Sequence, residues 1–113
     1  TYDEPDIIGV YLDLDNNKLY FAKNGTIQSS GIGISITDPA STPLGAYFFT
    51  IGANANATKY TWEVNFGNPT YTGTDQTDAN GYGSFEYDPS SGTFDSASKD
   101  FLAICTKNLA EYG

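Results

Sequence analysis

Ile8, Val10, Leu12 and Leu14 alternate with Ile7, Gly9, Tyr11 and Asp13, the period of a strand with one apolar face. Asp15, Asn16 and Asn17 interrupt the run with side chains that bond their own backbone and tolerate left-handed conformations. Alternation resumes from Lys18 to Lys23, with Leu19 and Phe21 on one side and Lys18, Tyr20 and Ala22 on the other. Asn24-Gly25 then supplies the pair favoured where two successive residues need positive φ. The pattern predicts an antiparallel hairpin around which the chain is organised.

Further strands are expected at Ile34-Ser35-Ile36, at Tyr47 to Ile51, and at Tyr60 to Phe66, where Tyr60, Trp62, Val64 and Phe66 share a face. Ser84 to Tyr87 and Phe101 to Thr106 read as short strands, and 108–113 as a tail. Asp38 to Pro43 is a loop, because its prolines withhold ladder donors. Residues 67–83 form a longer polar loop, of a length that is uncommon unless it has a task. No segment has helical period. The expected core is Ile8, Val10, Leu12, Leu19, Phe21, Phe49, Trp62, Val64 and Phe66.

At 113 residues the chain is one domain at most. Abundant Tyr, Phe, Gly, Thr, Ser, Asn and Asp suit short strands joined by polar turns. A formal charge of −9 with 5 basic residues argues against nucleic acid and anionic membranes as partners. Cys105 has no second cysteine to pair with and reads as a buried, inert thiol. With no histidine, zinc ligation and His-dependent nucleophiles are disfavoured. No cofactor is expected. Asp13, Asp15, Asn16 and Asn17 gather oxygen ligands of the kind calcium takes, but without the Gly and distal Glu of an EF-hand. Glycoside hydrolysis needs a carboxyl pair across one bond, and the Trp62 strand offers Glu63 alone. Asn24-Gly25-Thr26 and Asn56-Ala57-Thr58 match the glycosylation pattern, which polar turns also generate by chance.

The hairpin resembles the central signature of the SPRY family, "G-D-x-I-G-x-x-L-D-x-D-x-x-x-L-x-F-x-x-N-G". It is matched at Asp6, Ile8, Gly9, Leu12, Asp13, Asp15, Leu19, Phe21, Asn24 and Gly25. Tyr47 to Gly52 and Trp62 to Gly67 approximate two further family strands, with Val64 where the family has an aromatic residue. Residues 79–89 and 101–109 are similar to the ends of SPRY-like modules in bacteriophage virion and tail proteins. The resemblance implies an all-β, antiparallel sandwich of jelly-roll or concanavalin type without a catalytic site. The family places this hairpin mid-domain. A chain that opens six residues before it, with no methionine, is therefore expected to be an excerpt or processed product lacking the front strands. Residues 1–113 would be a single SPRY-like domain or the C-terminal two thirds of one.

The functional expectation is a non-enzymatic structural or binding module of a virion or tail appendage, such as a tail fibre, exposed outside the host cell. It would form a homo-oligomer and contact other virion subunits, its own upstream chain or a host-surface glycan. Loops on a rigid scaffold are where recognition concentrates, so the candidate binding residues are Tyr71, Asp75, Asp78, Asn80 and Tyr82. Two rivals are a cellular SPRY module that binds a short peptide, and a polysaccharide depolymerase whose active site lies in other sequence.

Overall fold

The computed structural model describes residues 2–52, 61–70 and 73–112. Its regular structure is a small antiparallel sheet and one short helix. Strand β1 (Ile8–Asp13) pairs with β2 (Lys18–Lys23), opposing Val10 to Phe21, Tyr11 to Tyr20 and Leu12 to Leu19. Strands β3 (Thr26–Ile27) and β4 (Ile34–Ser35) both pair with the far side of β2, leaving β1 at the edge.

The hairpin forms as the pattern predicts. Asn16 donates its backbone N–H to the Asp13 carboxylate at 3.0 Å, and Asn17 takes a φ of 54°, so the chain reverses between β1 and β2. Asn24 and Gly25, at φ 48° and 75°, join β2 to β3 with the positive angles their pairing requires. A side chain at Gly25 would also meet the Tyr87 ring, 2.6 Å from the position of a Cβ. The Asn24 amide secures the preceding segment: it accepts from the Ile7 N–H and donates to Asp6, both at 2.8 Å. Lys23 pairs with the other Asp6 oxygen at 2.7 Å.

The core lies on the face of the hairpin opposite to the expected one. Tyr20, Ala22 and Phe94 are buried, and the rings of Tyr11, Tyr20, Phe94 and Phe101 pack with centroids 4.9–6.3 Å apart. The Tyr20 hydroxyl donates to Asp95 at 2.8 Å, and Asp95 also accepts from the Gly33 N–H at 3.0 Å. Lys99 reaches Asp13 on the same side, at 2.8 Å. Thus residues 93–101, an irregular segment, cover the tyrosine face.

This corrects the expected core. Ile8, Val10, Leu12 and Phe21 are 37–40% exposed, Leu19 is half-buried, and Phe49, Trp62, Val64 and Phe66 are 42–50% exposed. Alternation sorts residues into two faces but does not say which face is covered. Here the tyrosines prevail because their rings find Phe94 and Phe101, and the Tyr20 hydroxyl finds a carboxylate.

Tyr47 to Ile51 and the described part of the Trp62 segment are not strands, although they touch through Phe49 and Phe66 at 5.8 Å. Ser84 to Tyr87 supplies a single bridge, Phe85 to Gln76. Phe101 to Cys105 keeps the expected alternation, with 101, 103 and 105 half-buried, but it pairs with no strand among the described residues. Helix α1 (Thr106–Tyr112) takes Thr106, the last residue of that expected strand, together with Lys107 and most of the expected tail.

Candidate functional site

Residues 76–85 double back on themselves. Gln76 and Phe85 exchange backbone hydrogen bonds at 3.0 and 2.8 Å, and Asp78 N–H donates to the Tyr82 carbonyl at 2.9 Å. Asp78, Asn80 and Gly81 suit the bend: an Asx side chain can bond N–H groups ahead of it, and Gly81 takes a φ of 76°.

The Asp78 carboxylate, 4% exposed, joins this turn to the C-terminal segment. One oxygen accepts from the N–H groups of Asn80 and Tyr82, at 3.0 and 2.8 Å. The other accepts from the Ala103 N–H at 2.9 Å and from the Asn108 side chain at 2.5 Å. Asn108 is itself buried; it donates to the Ala103 carbonyl at 2.9 Å and accepts from the Asn80 amide at 3.2 Å. A side chain thereby replaces the strand partner that residues 101–105 lack. Burial raises the Asp78 carboxyl, but the bonds from Ala103, Tyr82, Asn108 and Asn80 outweigh it and hold the pKa below the ordinary value.

Beside this anchored turn is an open cleft of about 610 Å³. Val64, Phe66, Ile104 and Leu109 give it apolar walls, with Tyr82 and Lys107 among its polar lining. The Lys107 ammonium lies 4.7 Å from the centre of the half-buried Tyr82 ring, a cation–π contact. Asn65 fixes the opposite wall: its amide donates to the Ser84 carbonyl and accepts from the Gly67 N–H, at 2.8 and 2.7 Å. Cys105, expected to be buried, is half-buried and lines the cleft.

Of the five candidate binding residues, Asp78, Asn80 and Tyr82 come together in one turn. Asp75 is exposed and approaches it through Ser84, whose hydroxyl donates to the Asp75 carboxylate at 3.0 Å. Tyr71 lies outside the described residues. Asp78 has its acceptor capacity engaged within the fold, whereas Asn80 and Asp75 face solvent and Tyr82 lines the cleft. Sequence reasoning missed Lys107, which fell between the last expected strand and the tail, and Asn108, which fell in the tail. A basic residue beside apolar Ile104 and Leu109, in a chain so poor in cations, was the available signal. At the β1–β2 turn, both Asp13 oxygens accept from Asn16, and one also pairs with Lys99. No group of three or more acidic or thiol side chains placed to hold a metal ion occurs among the described residues.

Several carboxylates are tied to structure in this way. Bonds from Lys23, Asp3 and Asn24 hold Asp6 down at about 2, and those from Gly33 and Tyr20 lower Asp95. Burial, reinforced by the bond to Asp95, raises the Tyr20 phenol to about 12. A lowered carboxyl stabilises the fold above its unfolded pKa and loses that contribution as pH falls through its folded one; a raised phenol does the reverse. The melting temperature is therefore expected to be level through neutrality. It should fall as pH drops from 3.8 toward about 2, and again as pH rises from 10 toward about 12. Thermal melts across pH check this, and a Tyr20→Phe chain should lose much of the alkaline limb.

Compared with protein-family models, with curated proteins and with solved structures, the chain matches none.

Proposed function

We propose that this chain is a non-enzymatic recognition module that binds through the Asn80–Tyr82 turn and the adjoining cleft. The observation that carries the reading is the Asp78 hub. A buried carboxylate with four hydrogen bonds holds a surface turn against α1, so Tyr82 and Lys107 are positioned before any ligand arrives. Preorganisation of this kind reduces the ordering cost of binding. A phenol, an ammonium and neighbouring amides are groups suited to a glycan, and the cleft volume is within the usual range for small-molecule sites.

The finer assignment, a SPRY-type sandwich from a bacteriophage virion or tail appendage, rests on the sequence resemblance. The residues that carry it lie on the β1–β2 hairpin and the Asn24-Gly25 turn. The aliphatic walls from Val64, Ile104 and Leu109 favour a second reading, in which the cleft takes a side chain of a short partner peptide.

A glycan array and a peptide library, each probed with the whole chain, separate the two readings. Tyr82→Ala should weaken the selected interaction by about tenfold or more while the melting temperature stays near its original value. An interaction indifferent to both Tyr82→Ala and Lys107→Ala would remove the cleft from the account.

A further inference from the structure

The cleft reverses the charge of the chain around it. The sequence carries 14 acidic and 5 basic residues. Among the described residues that line the cleft none is acidic, and Lys107 is the one charged side chain. Two carboxylates stand behind that lining, and both are engaged. Asp78 accepts its four bonds from the turn and the C-terminal segment, and Asp75 accepts from the Ser84 hydroxyl.

Lys23 and Lys99 pair with aspartates at 2.7 and 2.8 Å. Lys107 has no carboxylate partner among the described residues, and its ammonium lies against the Tyr82 ring instead, 4.7 Å from the centre. The ring offsets only part of that charge. A cationic ligand would be repelled from such a site. A neutral one would strip water from the ammonium without replacing it, which is costly. An anion displaces the water and supplies the missing partner.

Resting on the glycan reading of this cleft, we propose that its ligand is an acidic sugar. The ring would carry a carboxylate beside its hydroxyls, and Lys107 binds the carboxylate. Ser84, also in the lining, fits the hydroxyls. Its own hydrogen is committed to Asp75, so its oxygen can only accept. A sugar hydroxyl donates to such an acceptor, whereas a carboxylate has nothing to give it. The lining thus asks for an anion and a neutral donor in one ligand. Asn68 and Thr106 add further donors and acceptors, and the aliphatic walls suit the C–H faces of a sugar ring.

An array of uronate- and sialate-bearing oligosaccharides, each beside its carboxyl-reduced neutral twin, supplies the probes. For the pair bound best, titration calorimetry on the whole chain should find the acidic member about fivefold tighter or more, the scale of one partly exposed ion pair. Added salt should shrink that ratio. Lys107→Gln should bring it to parity, whatever happens to either affinity, and Lys107→Arg should keep it. Lys18 bonds Ser35 at 3.0 Å and does not line the cleft. Lys18→Gln removes the same charge from the chain and should leave the ratio intact. Thermal melts check that each variant is folded. A neutral twin that binds as well as the acidic member would sink this inference and leave the glycan reading standing. A ratio that survives Lys107→Gln, or falls equally in Lys18→Gln, would overturn it too. So would a peptide with a free terminal carboxylate that outcompetes every acidic sugar. If no sugar binds at all, the glycan reading falls and this inference falls with it.

Discussion

Phe94→Ala is expected to destabilise the chain by about 3–5 kcal/mol, the usual cost of emptying a fully buried aromatic site. Phe94 is 0% exposed and contacts the rings of Tyr11, Tyr20 and Phe101 at 5.5, 5.2 and 4.9 Å. A domain of this size has about 5–15 kcal/mol in all, and the variant should be largely unfolded at physiological temperature. Phe48 is 73% exposed, and Phe48→Ala should cost less than about 1 kcal/mol. Urea midpoints for the two variants decide the matter. Equal shifts would mean that the aromatic cluster is not the core.

Asp78→Ala should have the second largest effect, about 3 kcal/mol or more, because it orphans several donors at once. The Ala103 N–H and the buried Asn108 amide lose their acceptor, and water can reach the Asn80 and Tyr82 groups only if the turn opens. Asp78→Asn keeps the shape but points an NH₂ group at two donors, so it should not restore stability. Asp75, by contrast, accepts a single bond from Ser84 at the surface. Asp75→Ala should leave the midpoint almost unchanged. Calorimetry on the three variants tests this, and restoration by Asp78→Asn would show that the charge-assisted bonds are not what holds the turn. Asp78→Ala should also abolish binding at the cleft, since Tyr82 and Lys107 would lose their fixed relation.

The hairpin was legible because its determinants are local. Alternation fixes its strands, and Asn16-Asn17 and Asn24-Gly25 fix its turns within a few residues of one another. The covered face was not legible, because Phe94 and Phe101 are distant in sequence and nothing in the alternation of Tyr11 and Tyr20 points to them. The segment from Phe101 to Cys105 shows the same limit. Its alternation was read correctly, yet its backbone is held by the Ala79 N–H and the side chains of Asp78 and Asn108 rather than by a strand. Helix α1, Thr106–Tyr112, is too short for a helical period to stand out and contains Thr106 and Asn108, poor helix formers. It is held by the burial of Asn108 and by the Leu109 N–H donating to the Cys105 carbonyl at 2.9 Å. In the candidate site, loop composition singled out the segment in which Asp78, Asn80 and Tyr82 come together. The division of roles between Asp78 as anchor and Tyr82 as cleft lining depends on burial, which composition does not carry.

The central claim is that the hairpin uses its tyrosine face, and not its aliphatic face, for its core. Amide hydrogen exchange along β1, in the wild-type chain and in Val10→Lys, tests it most directly. Gly9, Tyr11 and Asp13 should be protected in both, because their N–H groups point to β2. In Tyr20→Lys, which puts a charge beside the rings of Phe94 and Phe101, that protection should be lost. Protection lost in Val10→Lys but kept in Tyr20→Lys would place the core on the aliphatic face, and would contradict the account.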